Sequence, residues 1–94
     1  MTSRQDYIYQ LTGRITDKRT KKKKDGTTFY QLSVAIQDKE VSKINVFQDS
    51  CQEKVWQTIA ESKYIKKEYL FDCKNFMGSY YLVNWEILKN HGIN

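Results

Sequence analysis

The chain of 94 residues has no proline, four glycines, two cysteines and one histidine. With so little glycine and proline it shows no linker and no internal repeat, so residues 1–94 form one domain near the lower size limit for unaided folding. Cys51 and Cys73 stand 22 residues apart with no partner cysteine nearby. That spacing is neither a zinc framework nor a disulfide scaffold, and predicts two reduced, packed thiols. His91 lies three residues from the end, a poor place for a catalytic base. Glycine-rich phosphate loops, metal-ligand clusters and nucleophile triads are absent, and the carboxylates are scattered. The expectation is therefore a protein that is not an enzyme and takes no metal or cofactor. No apolar run approaches the ~20 residues that cross a bilayer. Residues 1–6 lack the apolar centre of a signal peptide. A soluble protein without membrane contact follows, in the cytoplasm, or in the plastid stroma if organelle-encoded.

What is present is concentrated charge. Between Arg14 and Asp25 lie seven basic residues and two acids, while the rest of the chain holds nine of each. The whole formal charge of +5 thus falls in one stretch. On either side the sequence alternates: Tyr7 to Ile15 before it, Thr27 to Ile36 after it. Period-two alternation marks half-buried strands, and Asp25-Gly26 supplies the positive φ of a tight reversal. The expected element is a β-hairpin with a lysine-loaded tip running from Thr16 to Gly26. A solvated, solubilising turn is the bland reading. Against it, the charge is confined to a loop that joins two aromatic-bearing strands, the footprint of a phosphate-binding surface. Arg14, Lys18, Arg19, Lys21, Lys22, Lys23 and Lys24 are the candidate phosphate ligands.

Taken in order, strand 1 (Tyr7–Thr16) turns Tyr9, Leu11 and Ile15 to one face, with Gly13 marking a bend or bulge. Ile8, Gln10, Thr12 and Arg14 share the other face. In strand 2, Tyr30, Leu32, Val34 and Ile36 form an apolar face, leaving Phe29 and Gln31 on the outer one. Phe29 either caps the barrel end or stacks on a ligand. A polar turn over 37–42 leads to strand 3, Lys43–Phe47, with Ile44 and Val46 inward and Asn45 and Phe47 outward. Ser50 to Glu53 reads as a capping box, followed by a helix whose stripe is Val55, Trp56, Ile59, Ala60 and Tyr64. Trp56 is read as core. Strand 4 (Glu68–Lys74) points Tyr69, Phe71 and Cys73 inward. The turn Asn75–Ser79 carries Phe76 and Met77, which either fold back or touch a partner. In strand 5, Tyr80–Leu88, the inward residues are read as Tyr81, Val83, Trp85 and Ile87. Residues 1–6 and 89–94 are read as flexible ends.

Five short strands with one helix between the third and fourth is the layout of the OB-fold, an all-β five-stranded Greek-key barrel that binds oligonucleotides on its strand 2–3 face and end loops. From Tyr9 to Leu88 the chain resembles the OB domain of bacterial and organellar single-stranded DNA-binding proteins. Gly13-Arg14-Ile15-Thr16 is similar to that family's Gly-Arg-Leu-Thr, and Asp25-Gly26 with Tyr30 to Val34 resembles its Asn-Gly turn and following strand. Val46-Phe47 resembles its Leu-Phe, whose ring stacks on a base. The resemblance implies that Phe47 stacks likewise and that the first hairpin holds phosphates. The family's tryptophans near strand 3 have no counterpart between Gln37 and Lys43. A base platform here rests on Phe29 and Phe47, with Phe76 or Tyr80 as further rings, and Gln10, Gln31, Asn45 and Arg14 line the groove. The ending Lys89–Asn94 lacks that family's acidic tail. This points to a minimal plastid, phage or mobile-element version, or a primosome-type accessory protein. The expected partner is single-stranded DNA. RNA stays open, as does docking on a replication polymerase, primase or helicase, or on a second copy as a homo-oligomer.

Overall fold

Residues 8–36, 40–64 and 67–88 are described by a computed structural model. The elements follow the expected order: β1 (Ile8–Lys22), β2 (Thr28–Ile36), β3 (Glu40–Val46), α1 (Glu53–Ala60), β4 (Glu68–Phe76) and β5 (Ser79–Ile87). The strands close into a barrel in the order β1-β2-β3-β5-β4. With α1, the single helix among the described residues, between β3 and β4, this is the OB-fold arrangement. The expected ends of the chain, 1–6 and 89–94, lie outside the described residues, as does the 37–39 part of the polar turn. Residues 40–42 of that turn belong instead to β3.

Closure depends on β1 serving two neighbours. Residues 8–14 pair with β4, and residues 14–22 pair with β2. Gly13 sits at the changeover, where another residue's Cβ would lie 2.5 Å from Val34 Cγ1 and 2.7 Å from the Ala35 carbonyl oxygen. Glycine is needed here for close approach. The bulge itself falls later, at Thr16, where the register slips between Ile15 and Asp17. Thr16 Oγ1 donates to the Ser33 carbonyl at 3.2 Å. An extra residue reverses the faces of everything after it. Ile15 opposes Val34, yet Lys18 opposes Leu32, so Lys18 takes the inward parity while Asp17, Arg19 and Lys21 point outward.

The expected loop from Thr16 to Gly26 is thus mostly strand. Only Lys23 to Thr27 forms the turn. Arg19 and Lys21, paired across from Gln31 and Phe29, extend the ladder to Lys22, because pairing satisfies the amides that face β2.

The core gathers the inward residues of β1 to β5 with one helical face. Ile15, Leu32, Val34, Ile44, Val46, Tyr69, Phe71, Cys73 and Leu82 are buried with Val55 and Ile59 of α1. Each such aliphatic side chain contributes about 1.5–3 kcal/mol by leaving water. Trp56 packs on Tyr30 with ring centres 4.9 Å apart, and Trp85 stacks on Tyr69 at 4.5 Å.

Two local expectations are corrected. The capping box at Ser50 does not form: α1 starts at Glu53, with Gln52 as N-cap and no side-chain cap. The Ser50 amide is held by the Phe47 carbonyl at 3.1 Å and the Gln52 amide by the Val83 carbonyl at 2.9 Å, which fixes the chain before the helix begins. In β5, Tyr81 does not point inward. Asp72 opposes Asn84 while Cys73 opposes Leu82, so Val83 is the extra residue of a second bulge. Leu82 is the buried residue, Tyr81 faces out, and the inward parity returns at Trp85. Ile87, also read as inward, is about half exposed.

Candidate nucleic-acid interface

The outer surface of the β1 arm, β2, β3 and β5 carries two rows of side chains in register. One row is Lys21 opposite Phe29, with Phe47 one residue beyond the Tyr30–Val46 pair. The next is Arg19, Gln31, Asn45 and Tyr81. The three rings form a cluster: Phe47 lies 4.8 Å from Phe29 and 5.1 Å from Tyr81, both at steep interplanar angles. Such edge-on pairs are the favourable aromatic geometry. All three rings are half-buried, so each keeps solvent-facing surface. Beside them Gln31 Nε2 donates to Asn45 Oδ1 at 3.1 Å.

The turn that bears the tip lysines is tightly held. Gly26 donates to the Lys23 carbonyl at 3.0 Å, Lys23 donates to the Thr27 carbonyl at 2.9 Å, and the Thr27 amide donates to Asp25 Oδ1 at 2.9 Å. Gly26 takes a φ of +90°, which a side chain would resist. Hydrogen bonds from Thr27 hold the Asp25 carboxyl below the usual carboxylate range, with Lys23 adding a smaller attraction. Lys23 Nζ lies 4.3 Å from the centre of the Phe47 ring.

This geometry brings together Arg19, Lys21, Lys23, Phe29, Gln31, Asn45 and Phe47, with Lys24 exposed at the turn. Arg19 and Asp17 make an ion pair at 3.4 Å, with both side chains largely exposed, so it holds the guanidinium only weakly. Other candidates fall elsewhere. Lys18 Nζ donates to the Ile59 carbonyl at 2.9 Å and to Ser62 Oγ at 2.7 Å, and lies 4.9 Å from the Tyr30 ring centre. It places a cation at the carbonyl end of α1, a structural role. Lys22 opposes Thr28 and shares the parity of Lys18, so it leaves the arm on the side away from Phe29. Arg14 opposes Ala35, six residues along β2 from Phe29, or roughly 20 Å at strand rise. Tyr80 packs against the core and meets Tyr9 edge-on at 6.2 Å. Gln10 donates to Asp72 across β1 and β4, away from the ring cluster. Phe76 neither folds back nor joins the cluster; it is 63% exposed beside Met77 at 87%.

Tyr81 is the ring that sequence reasoning assigned to the wrong face. No signal in the sequence marks this, since Tyr81, Val83 and Trp85, of opposite parity to Asn84 and Glu86, fit a plain alternation, and only the register slip at Val83 shows the reversal.

Neither thiol is poised for chemistry. Burial pushes Cys51 up to about 11 and Cys73 up to about 12, the latter also through the Asp72 charge. An open pocket of about 280 Å³ between α1 and β5 is lined by Gln52, Lys54, Val55, Thr58, Asn84 and Trp85, and so shares no residue with the ring cluster. No helix among the described residues is long and apolar enough to cross a membrane. No family model, curated protein or solved structure matches the chain.

Proposed function

We propose that this protein binds single-stranded DNA with little sequence preference, as an accessory protein of DNA replication or recombination. The observation that carries the reading is the placement of outward rings, Phe29 and Phe47, beside the arm that holds the net charge of the chain. Arg19, Lys21, Lys23 and Lys24 attract the phosphates, releasing counterions. A base stacks on the Phe47 cluster, worth about 1–3 kcal/mol and indifferent to base identity because every base has a π-face. Gln31 and Asn45 keep amide groups beside that base, able to donate or accept. The reading is of a binder and not an enzyme, since the site holds rings, amides and cations without a nucleophile and base in contact.

The test is a fluorescence titration with a labelled thymidine oligomer at low salt, competed with duplex DNA and with a uridine oligomer. Saturable binding that the duplex competes poorly is expected. Absence of binding overturns the reading, and equal competition by the uridine oligomer moves the ligand to single-stranded nucleic acid of either sugar. A second reading rests on the exposed Phe76 and Met77: the barrel docks as a small subunit on a polymerase, primase or helicase. Capture of such an enzyme by the wild type but not by Phe76→Ser, with no oligomer binding, favours it.

A further inference from the structure

Lys23 differs from the lysines around it. Lys21, Lys22 and Lys24 are exposed, whereas Lys23 is half-buried with its ammonium over the Phe47 ring. Phe29 and Tyr81 hold that ring at interplanar angles of 77° and 62°, so neither contact is a parallel stack. The ammonium occupies the position above the ring centre that a stacked base would need. Resting on the nucleic-acid reading, we propose that Lys23 is a displaceable cover of Phe47. An incoming unpaired base takes the ring, and the ammonium moves to the adjacent phosphate.

Two general facts make the exchange favourable. Base stacking on a ring is at least as strong as a cation–π contact whose ammonium, like that of the half-buried Lys23, is only partly withdrawn from water. The displaced ammonium also gains a charge-assisted hydrogen bond to phosphate. The exchange narrows the ligand class. A strand with a base at this position displaces Lys23, whereas a bare sugar-phosphate chain finds the lysine still engaged with the ring.

The experiment follows the Lys23 ε-methylene protons of the full chain by NMR. In the free protein they appear upfield through the ring current of Phe47, and Phe47→Leu returns them to the ordinary position. A thymidine oligomer moves them to the ordinary position, while an abasic oligomer of equal length leaves them upfield. Ordinary shifts in the free protein overturn the cover. A bound thymidine oligomer with the protons still upfield overturns the exchange and leaves the nucleic-acid reading standing. Failure of every oligomer to bind removes that reading and the exchange with it, and the upfield protons of the free protein then mark which part failed.

Affinity gives an independent reading. At low salt Lys23→Gln and Lys21→Gln both bind more weakly than wild type. At high salt, where phosphate contacts are screened, Lys23→Gln binds about two- to fivefold more tightly than wild type because the ring is uncovered. Lys21→Gln there matches wild type. Weaker binding by Lys23→Gln at every salt concentration overturns the proposal.

Discussion

The β1–β2 and β4–β5 hairpins close the same barrel with opposite chemistry. The first ends in a turn tied by three hydrogen bonds and carries lysine at Lys21 to Lys24. The second reverses in two residues, Met77 and Gly78, at φ of +53° and +84°. It presents Phe76 and Met77 to solvent. Each hairpin also contains one bulge, at Thr16 in β1 and Val83 in β5. Each bulge turns a side chain outward that simple alternation would turn in: Lys21 from the first hairpin and Tyr81 from the second. The difference between the tips separates a charged arm beside the cluster of Phe29, Phe47 and Tyr81 from an apolar tip away from it. The shared bulges explain how both hairpins supply one outer face.

The largest break in this contrast comes from the arm. Replacing Lys21, Lys23 and Lys24 together with alanine weakens oligomer binding on the order of a hundredfold at low salt and flattens the salt slope by about 2. Fluorescence titrations at several salt concentrations read both quantities. Unchanged affinity would assign those lysines to solubility alone.

Next comes the ring cluster. Phe47→Ala costs about 1–3 kcal/mol of binding and leaves the salt slope as it was. Binding titrations paired with a thermal melt separate this from damage to the fold; a melt that collapses while the remaining folded fraction binds normally places Phe47 in the core.

Within the first hairpin, Lys18 sharpens the comparison, because it shares the arm but serves the helix. Lys18→Met lowers stability by about 1 kcal/mol through loss of the contact to the end of α1. Urea melts show that loss, and the salt slope of binding stays at its wild-type value. A shallower slope would return Lys18 to the phosphate ligands.

The smallest effect is at the second tip. Met77 holds a positive φ that favours asparagine or glycine, and Asn-Gly is the preferred pair for a two-residue reversal. Met77→Asn therefore raises stability by about 0.5 kcal/mol in a urea melt, with oligomer affinity unchanged.

Much of the barrel was readable from alternation alone. Leu32 and Val34 in β2, Ile44 and Val46 in β3, and Tyr69, Phe71 and Cys73 in β4 all point inward as their spacing indicates. Asp25-Gly26 marks the turn because its geometry is local. The bulges were not readable, since an inserted residue leaves composition intact and shows only as a shifted register. Gly13 signalled a bend, but the slip occurs three residues later at Thr16, where nothing in the residue type marks it. The same limit hid Tyr81 and left Lys18 and Lys22 among the expected phosphate ligands, although both take the parity away from Phe29. The failed cap at Ser50 has a tertiary cause: the Val83 carbonyl, two elements away, holds the Gln52 amide.

The salt dependence of wild-type binding to a thymidine oligomer tests the account most directly. With about four phosphate contacts on the ring side of the arm, the log–log slope of affinity against salt is expected near −3. A slope close to zero would contradict it.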